Sequence, residues 1–223
     1  MQTLVQIVVV TILWLLAYEA FRRAGKWVSW GLFFLVPLAL TPYWFAVNSF
    51  DLFWWVKSYS VYFCIVWGTA LRFTSLGERP WACNTIHLLL AGNILEAIAV
   101  DVLETGLAHT LNASAGLILI ATLPYGSDSS RIDSAGRYRD LHSGTSLRWI
   151  VGYTIWNWTF VYLNYPSLSG HHTAVLAAGL IVAAIDARRW TQARACTLGL
   201  NLLVSATFYP EVTSWCALNK MLP

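Results

Sequence analysis

Long apolar runs alternate with short polar stretches along the whole chain. Eight such runs are present, at residues 4–21, 27–46, 53–73, 82–105, 107–124, 149–165, 170–187 and 194–210. Each run is long enough, or nearly so, for a helix to cross about 30 Å of hydrocarbon at about 1.5 Å per residue. Lipid offers the backbone no hydrogen-bond partners, so such spans must be helical or form closed barrels. The pattern predicts an all-α integral membrane protein, a polytopic bundle of eight transmembrane helices, with seven as the alternative.

The composition supports the same class of protein. The chain is 57% hydrophobic and 11% charged, whereas a soluble domain is about 25% charged. We identify no stretch with the composition of a separate soluble domain, so residues 1–223 are expected to form a single transmembrane helical domain. The expected surroundings are the lipid bilayer of a multi-pass cell-membrane protein, with no nucleic acid as a partner. The oligomeric state stays open.

The basic residues give the predicted orientation in the membrane. Twelve of the 14 lysines and arginines fall in or beside alternate connections, namely Arg22, Arg23, Lys26, Arg72, Arg79, Arg131, Arg137, Arg139, Arg148, Arg188, Arg189 and Arg194. Connections rich in Lys and Arg stay on the cytoplasmic side of a membrane. The pattern therefore predicts that both chain termini lie outside, and that residues 125–148 form a long polar loop inside. It also requires the fifth run to cross, although that run is diluted by polar residues.

Carboxyl groups in the fourth run are the strongest indication of function. A charged side chain at membrane depth costs about 2.5–3.5 kcal/mol on insertion scales. Glu96 and Asp101 are nevertheless surrounded by apolar sequence. At about 100° per residue, Asn93, Glu96, Asp101 and Glu104 fall within an arc of about 140° on one helix. This face is expected to point into the bundle.

Other helices carry polar residues at matching depths. Asn157 and Asn201 lie near the middle of their helices. They are expected to lie at the same depth as Asn93 and Glu96 of the fourth helix and to contact them. Lys57 lies further outward, at the predicted depth of Asp101. We therefore expect Lys57 to form an ion pair with Asp101 or Glu104.

This arrangement would leave Glu96 without a basic partner. Desolvation then favours the protonated acid, whereas a lysine-paired carboxyl stays ionised. Two carboxyls with different environments provide the acid and base that proton-transfer catalysis needs. The alternative is structural, because buried acids and amides also join membrane helices at about 0.6–2 kcal/mol per hydrogen bond.

Aromatic residues accompany the polar layer. Tyr59, Trp67, Tyr153 and Trp156 lie within the apolar runs, away from the helix ends where interfacial aromatics are expected. Aromatic faces stabilise a nearby cation by about 0.5–2 kcal/mol. A cavity with a neutral acid and aromatic walls suits carbocation chemistry, and it also suits binding of an isoprenoid or aromatic ligand without chemistry.

Three short motifs carry a resemblance to a known family. They are Asn-Ile-Leu-Glu-Ala at 93–97, Lys-Ser-Tyr-Ser at 57–60 and Trp-Asn-Trp at 156–158. With these motifs the chain resembles the small bacterial membrane-integral terpene cyclases of indole-sesquiterpenoid pathways. The resemblance implies a bacterial cell-membrane enzyme of the isomerase or lyase type. Its reaction would be proton-initiated (type II) cyclisation of a prenylated aromatic substrate, such as a farnesylated indole.

The resemblance and the polar layer together give the expected site. Glu96 is the expected proton donor, with Asp101 assisting or acting as the alternative acid. The substrate-binding residues are expected to be Asn93, Lys57, Tyr59, Trp67, Tyr153, Trp156 and Asn157. The chain has no Asp-Asp-x-x-Asp run and no Asp-x-Asp-Asp run, and its four cysteines lack metal or redox spacing, so we expect no metal and no cofactor.

Two other functions use the same features. A small proton-coupled transporter or channel also needs intramembrane acids, although the chain shows no inverted repeat and few helices interrupted by Gly or Pro. A lipid- or quinone-binding membrane subunit needs only the apolar interior.

Overall fold

Eight long helices account for the eight apolar runs, as predicted. A computed structural model describes residues 2–126 and 129–214. The helices are α1 Gln2–Arg23, α2 Lys26–Val47 (with a π-helical segment at Gly31–Leu35), α3 Leu52–Phe73, α4 Pro80–Leu103, α5 Leu107–Ala121, α6 Leu147–Asn164, α7 Ser169–Ile185 and α8 Trp190–Thr207. A short helix, α9 Tyr209–Ser214, follows. The all-helical prediction is confirmed in this part of the chain.

Helices α7 and α8 occupy the centre of the bundle. α7 packs against α1, α6 and α8, and α8 packs against α3 as well. Most residues of both helices are buried. α4, α5 and α6 follow one another around the outside, and α3 connects α4 to α8. Polar groups on α3, α4, α6, α7 and α8 can therefore meet in the interior.

Four of the predicted spans are long and apolar enough to cross a membrane within the described residues: Thr3–Arg23, Lys26–Val47, Pro80–Leu103 and Pro166–Ile185. α5 is apolar but shorter. α3, α6 and α8 have membrane-like lengths but carry the buried polar residues of the interior, which lowers their hydropathy.

The basic connections come together at one end of the bundle, here called the inner end. The Arg22 guanidinium donates to the Asp140 carboxylate at 2.7 Å, which joins α1 to the long loop. Buried Arg72 donates to the backbone oxygens of Arg22 and Tyr138. The loop also contains a small antiparallel hairpin, β1 Ser130–Ile132 and β2 Leu141–Ser143, which the sequence did not predict.

A close approach between helices gives the first test of this packing. A Cβ atom built on Gly199 of α8 would lie 2.3 Å from Cδ1 of Ile65 on α3 and 3.0 Å from Cε1 of Phe33 on α2. We expect Gly199→Val to lower the free energy of unfolding by about 1–3 kcal/mol, because the added methyls overpack a filled core. Gly92→Val is the control, since a Cβ atom built on Gly92 would have nothing within 4 Å. Thermal unfolding in detergent should separate the two variants; equal midpoints would contradict the packing of α8.

Candidate functional site

Glu96 lies beside a lysine. Lys57 Nζ is 3.0 Å from Glu96 Oε2, and it also donates to the backbone oxygen of Asn93 at 2.9 Å. Ser60 Oγ donates to the same carboxylate oxygen at 3.1 Å. The predicted pairing of Lys57 with Asp101 or Glu104 is therefore wrong, and Glu96 is not the acid without a basic partner.

Asp101 has a separate environment. It is fully buried, and its carboxylate meets Nδ1 of His109 at 3.0 Å, Nδ2 of Asn112 at 2.7 Å and Nδ2 of Asn164 at 2.9 Å. These partners come from α5 and α6. Asp101 thus holds the ends of three helices together through one carboxylate.

The geometry of a helix explains the incorrect pairing. Residues 96 and 101 are five positions apart, so their side chains diverge by about 140° around the axis. Glu96 consequently faces α3, whereas Asp101 faces α5 and α6. Glu104 is exposed at the C-terminal cap of α4. The polar residues predicted on one face of α4 are therefore divided between its interface with α3 and its interface with α5 and α6.

A second buried polar cluster joins α6, α7 and α8. Asn157 Oδ1 lies 2.6 Å from His172 Nε2 and accepts a hydrogen bond from Arg194 Nη2 at 2.8 Å. The Arg194 guanidinium also lies 5.9 Å from the centre of the Tyr153 ring. All of these side chains are buried. The cluster therefore brings a cation into the middle of the bundle.

Two cavities meet at this polar layer. The outer cavity, of about 90 Å³, lies toward the end opposite the hairpin. Its lining includes the rings of Phe53, Trp54, Phe160 and Tyr165, and the polar residues Lys57, Asn157, His172 and Asn201. The inner cavity, of about 80 Å³, extends toward Arg72 and Leu141 beneath the hairpin and is lined mostly by apolar atoms. Asn93 and Arg194 line both cavities.

The predicted substrate-binding residues are only partly brought together. Lys57, Asn93 and Asn157 line the outer cavity, and Tyr153 lines the inner one. The other three predicted aromatic residues are not among the lining residues. Trp156 is buried and donates to the Asn112 backbone oxygen, Trp67 donates to Thr85, and Tyr59 bonds Thr41 on the exposed side of α3. Their observed contacts are with neighbouring helices.

Two residues of the cluster, His172 and Arg194, are not among the predicted site residues. His172 falls at the start of the run 170–187, and it lies in the first turn of α7 and is buried. Arg194 is grouped with the basic connection, but α8 begins at Trp190, one turn earlier. Apolar residues on both sides of position 194 are the available signal for its burial.

The ion pair between Lys57 and Glu96 can be measured by a double-mutant cycle. The two side chains are 14% and 23% exposed, so solvent screens the pair only partly. We expect Lys57→Gln and Glu96→Gln each to lower the free energy of unfolding by about 1–2 kcal/mol, because each leaves a half-buried charge unpaired. The double variant should recover to within about 0.5 kcal/mol of wild type. Strict additivity in denaturant unfolding would mean that the pair is not formed.

Comparison with known protein families places the chain in a family. A family model described as a family of unknown function (DUF5692) matches residues 1–216. No curated protein and no solved structure matches. Within the described residues, there is also no group of three or more His, Cys, Asp or Glu residues with the geometry of a metal site.

Proposed function

The chain belongs to this family of unknown function, and we propose that it is a membrane enzyme that cyclises a prenylated aromatic compound. The substrate would be a hydrophobic small molecule such as a farnesylated indole. The reaction would be proton-initiated and independent of metal, as in the terpene cyclases that the motifs at 57–60, 93–97 and 156–158 resemble.

The apolar surface of the bundle supports insertion in a membrane. Large apolar side chains are widely exposed, with Leu52 at 79%, Leu103 at 85% and Ile185 at 73%. Large apolar side chains exposed in such number are unusual on a soluble monomer. All eight long helices would cross the bilayer, with the basic connections at the inner end on the cytoplasmic side.

The observation that carries the proposal is the outer cavity. It combines aromatic rings, which can stabilise a carbocation, with Lys57, which is hydrogen-bonded to Glu96. The end of a prenyl chain placed in this cavity would lie beside Lys57, and Glu96, which does not line the cavity itself, would be one hydrogen bond further away. The hairpin covers the inner end, which favours an enclosed reaction chamber over a continuous transport path.

The ion pair can supply both proton transfers of a cyclisation. Transfer of a proton from the Lys57 ammonium to the Glu96 carboxylate would give a neutral amine and a neutral acid. Glu96 then protonates the terminal alkene or epoxide of the substrate. The cation propagates through the prenyl chain, and the Lys57 amine removes the last proton. The original ion pair is restored, and an alkene substrate and its product are isomers.

Asp101 would act differently from Glu96. Three donors hold its carboxylate, so we assign it the positioning of α4 relative to α5 and α6. Asn93 and Asn157 would orient the reacting end of the substrate, since both line the outer cavity.

The test is turnover by membranes that contain the protein. Incubation with farnesylated indole should give a product of equal mass and different retention, and membranes from cells without the protein should give none. Uptake of a solute into proteoliposomes, driven by a pH gradient and without conversion, would instead identify a transporter. Stable co-purification with another chain and no turnover would identify a binding subunit.

A further inference from the structure

Arg194 is a buried cation without a carboxylate partner among the described residues. It is 5% exposed, and no ion pair joins it to an acid in the described ranges. Its Nε and Nη1 atoms have no hydrogen-bond partner there. Nε carries one N–H and Nη1 carries two, so three of the five guanidinium donors are unused. A buried charge without compensation is strongly unfavourable.

The neighbouring residues do not compensate the positive charge of Arg194. Lys57 lines the same outer cavity, but Glu96 neutralises it at 3.0 Å. Asn157 and His172, which contact Arg194, carry no negative charge. The Tyr153 ring offers a weak interaction at 5.9 Å. One elementary positive charge is therefore left over where the two cavities meet.

We propose that Arg194 is the centre of a binding site for the carboxylate of a hydrophobic ligand. A singly charged oxyanion would neutralise the guanidinium and use its free N–H groups, which match carboxylate geometry. The apolar inner cavity and the aromatic outer cavity both border Arg194, so the part of an aliphatic or ring system next to the carboxylate can enter either. The site would bind hydrophobic carboxylates whether or not the protein converts them chemically.

Binding can be measured without turnover. Delipidated protein in detergent is titrated with oleate, with oleyl alcohol as the neutral probe of equal chain length, and with phosphatidylglycerol as a phosphodiester lipid. We expect oleate to raise the thermal unfolding midpoint and to bind at least about tenfold more tightly than oleyl alcohol, the ratio expected for a charge-assisted hydrogen bond. Arg194→Gln should lose this preference, and exposed Arg148→Gln should keep it.

Two results would overturn the proposal. One is equal binding of oleate and oleyl alcohol to wild-type protein, a comparison that needs no variant and stands even if Arg194→Gln does not fold. The other is stabilisation by phosphatidylglycerol alone, which would identify the site as a lipid-headgroup contact. Failure of the oleate comparison removes the carboxylate site only, whereas failure to convert farnesylated indole removes the proposed reaction only.

Discussion

Glu96→Gln is expected to reduce product formation to about one hundredth of wild type or less. Glutamine keeps the size of the side chain and can still accept the hydrogen bonds of Lys57 and Ser60, but it cannot donate a proton to an alkene. Loss of a general acid typically costs a factor of about 10²–10⁴. The measurement is product yield from equal amounts of folded protein, with size-exclusion profile and thermal midpoint recorded for both samples.

The matched control for that experiment is Glu78→Gln. Glu78 is exposed on the short 3-10 helix before α4, at the inner end of the bundle. It undergoes the same change of charge and shape, it lines neither of the two cavities, and it should retain wild-type turnover. Wild-type turnover by Glu96→Gln would remove Glu96 as the proton donor, and loss of turnover by both variants would point to a general effect of charge.

Asp101→Asn is expected to impair both stability and turnover. The carboxylate accepts hydrogen bonds from Asn112 and Asn164, and an amide in its position would turn one NH₂ group toward those donors. A buried group left unsatisfied, together with the loss of charge-assisted bonds, should cost about 3 kcal/mol. For a chain of this length that is roughly 6–12 °C in the thermal midpoint.

A positioning role for Asp101 can be identified by measuring the turnover of the variants at several temperatures. If Asp101 positions the helices, turnover of Asp101→Asn should recover partly at low temperature, where the variant stays folded, whereas Glu96→Gln should remain inactive at every temperature. Glu104→Gln, an exposed substitution three residues away at the C-terminal cap of α4, should match wild type in both measurements. An unchanged midpoint for Asp101→Asn would contradict the hydrogen bonds that the carboxylate receives.

The helices could be predicted because their signal is local. A run such as 82–105 is predominantly apolar, and bounds read from it differ from α4 by only two residues at each end. The position of the basic connections at one end of the bundle also follows from sequence. Consecutive helices run in opposite directions, so alternate connections lie at the same end. The interior polar layer was partly predictable: Asn93, Asn157 and Asn201 line one cavity as expected.

The partners within that layer could not be predicted in the same way. Depth along a helix axis ignores the direction in which a side chain points, and it paired Lys57 with the wrong acid. Long side chains add to the error, because a lysine can span several ångströms along its helix. Arg194 was misassigned for a related reason: the end of an apolar run marks a change in composition, whereas α8 begins one turn earlier with a buried tryptophan, Trp190.

The most direct measurement is the incorporation of deuterium from solvent. Membranes containing the protein are equilibrated in D₂O and incubated with farnesylated indole, so that the exchangeable protons of Lys57 and Glu96 become deuterons. Proton-initiated cyclisation predicts a cyclised product that is one mass unit heavier than the product made in H₂O, with a single carbon-bound deuterium at the position of the protonated alkene. A cyclised product without deuterium, or no cyclised product from folded wild-type protein, would contradict it.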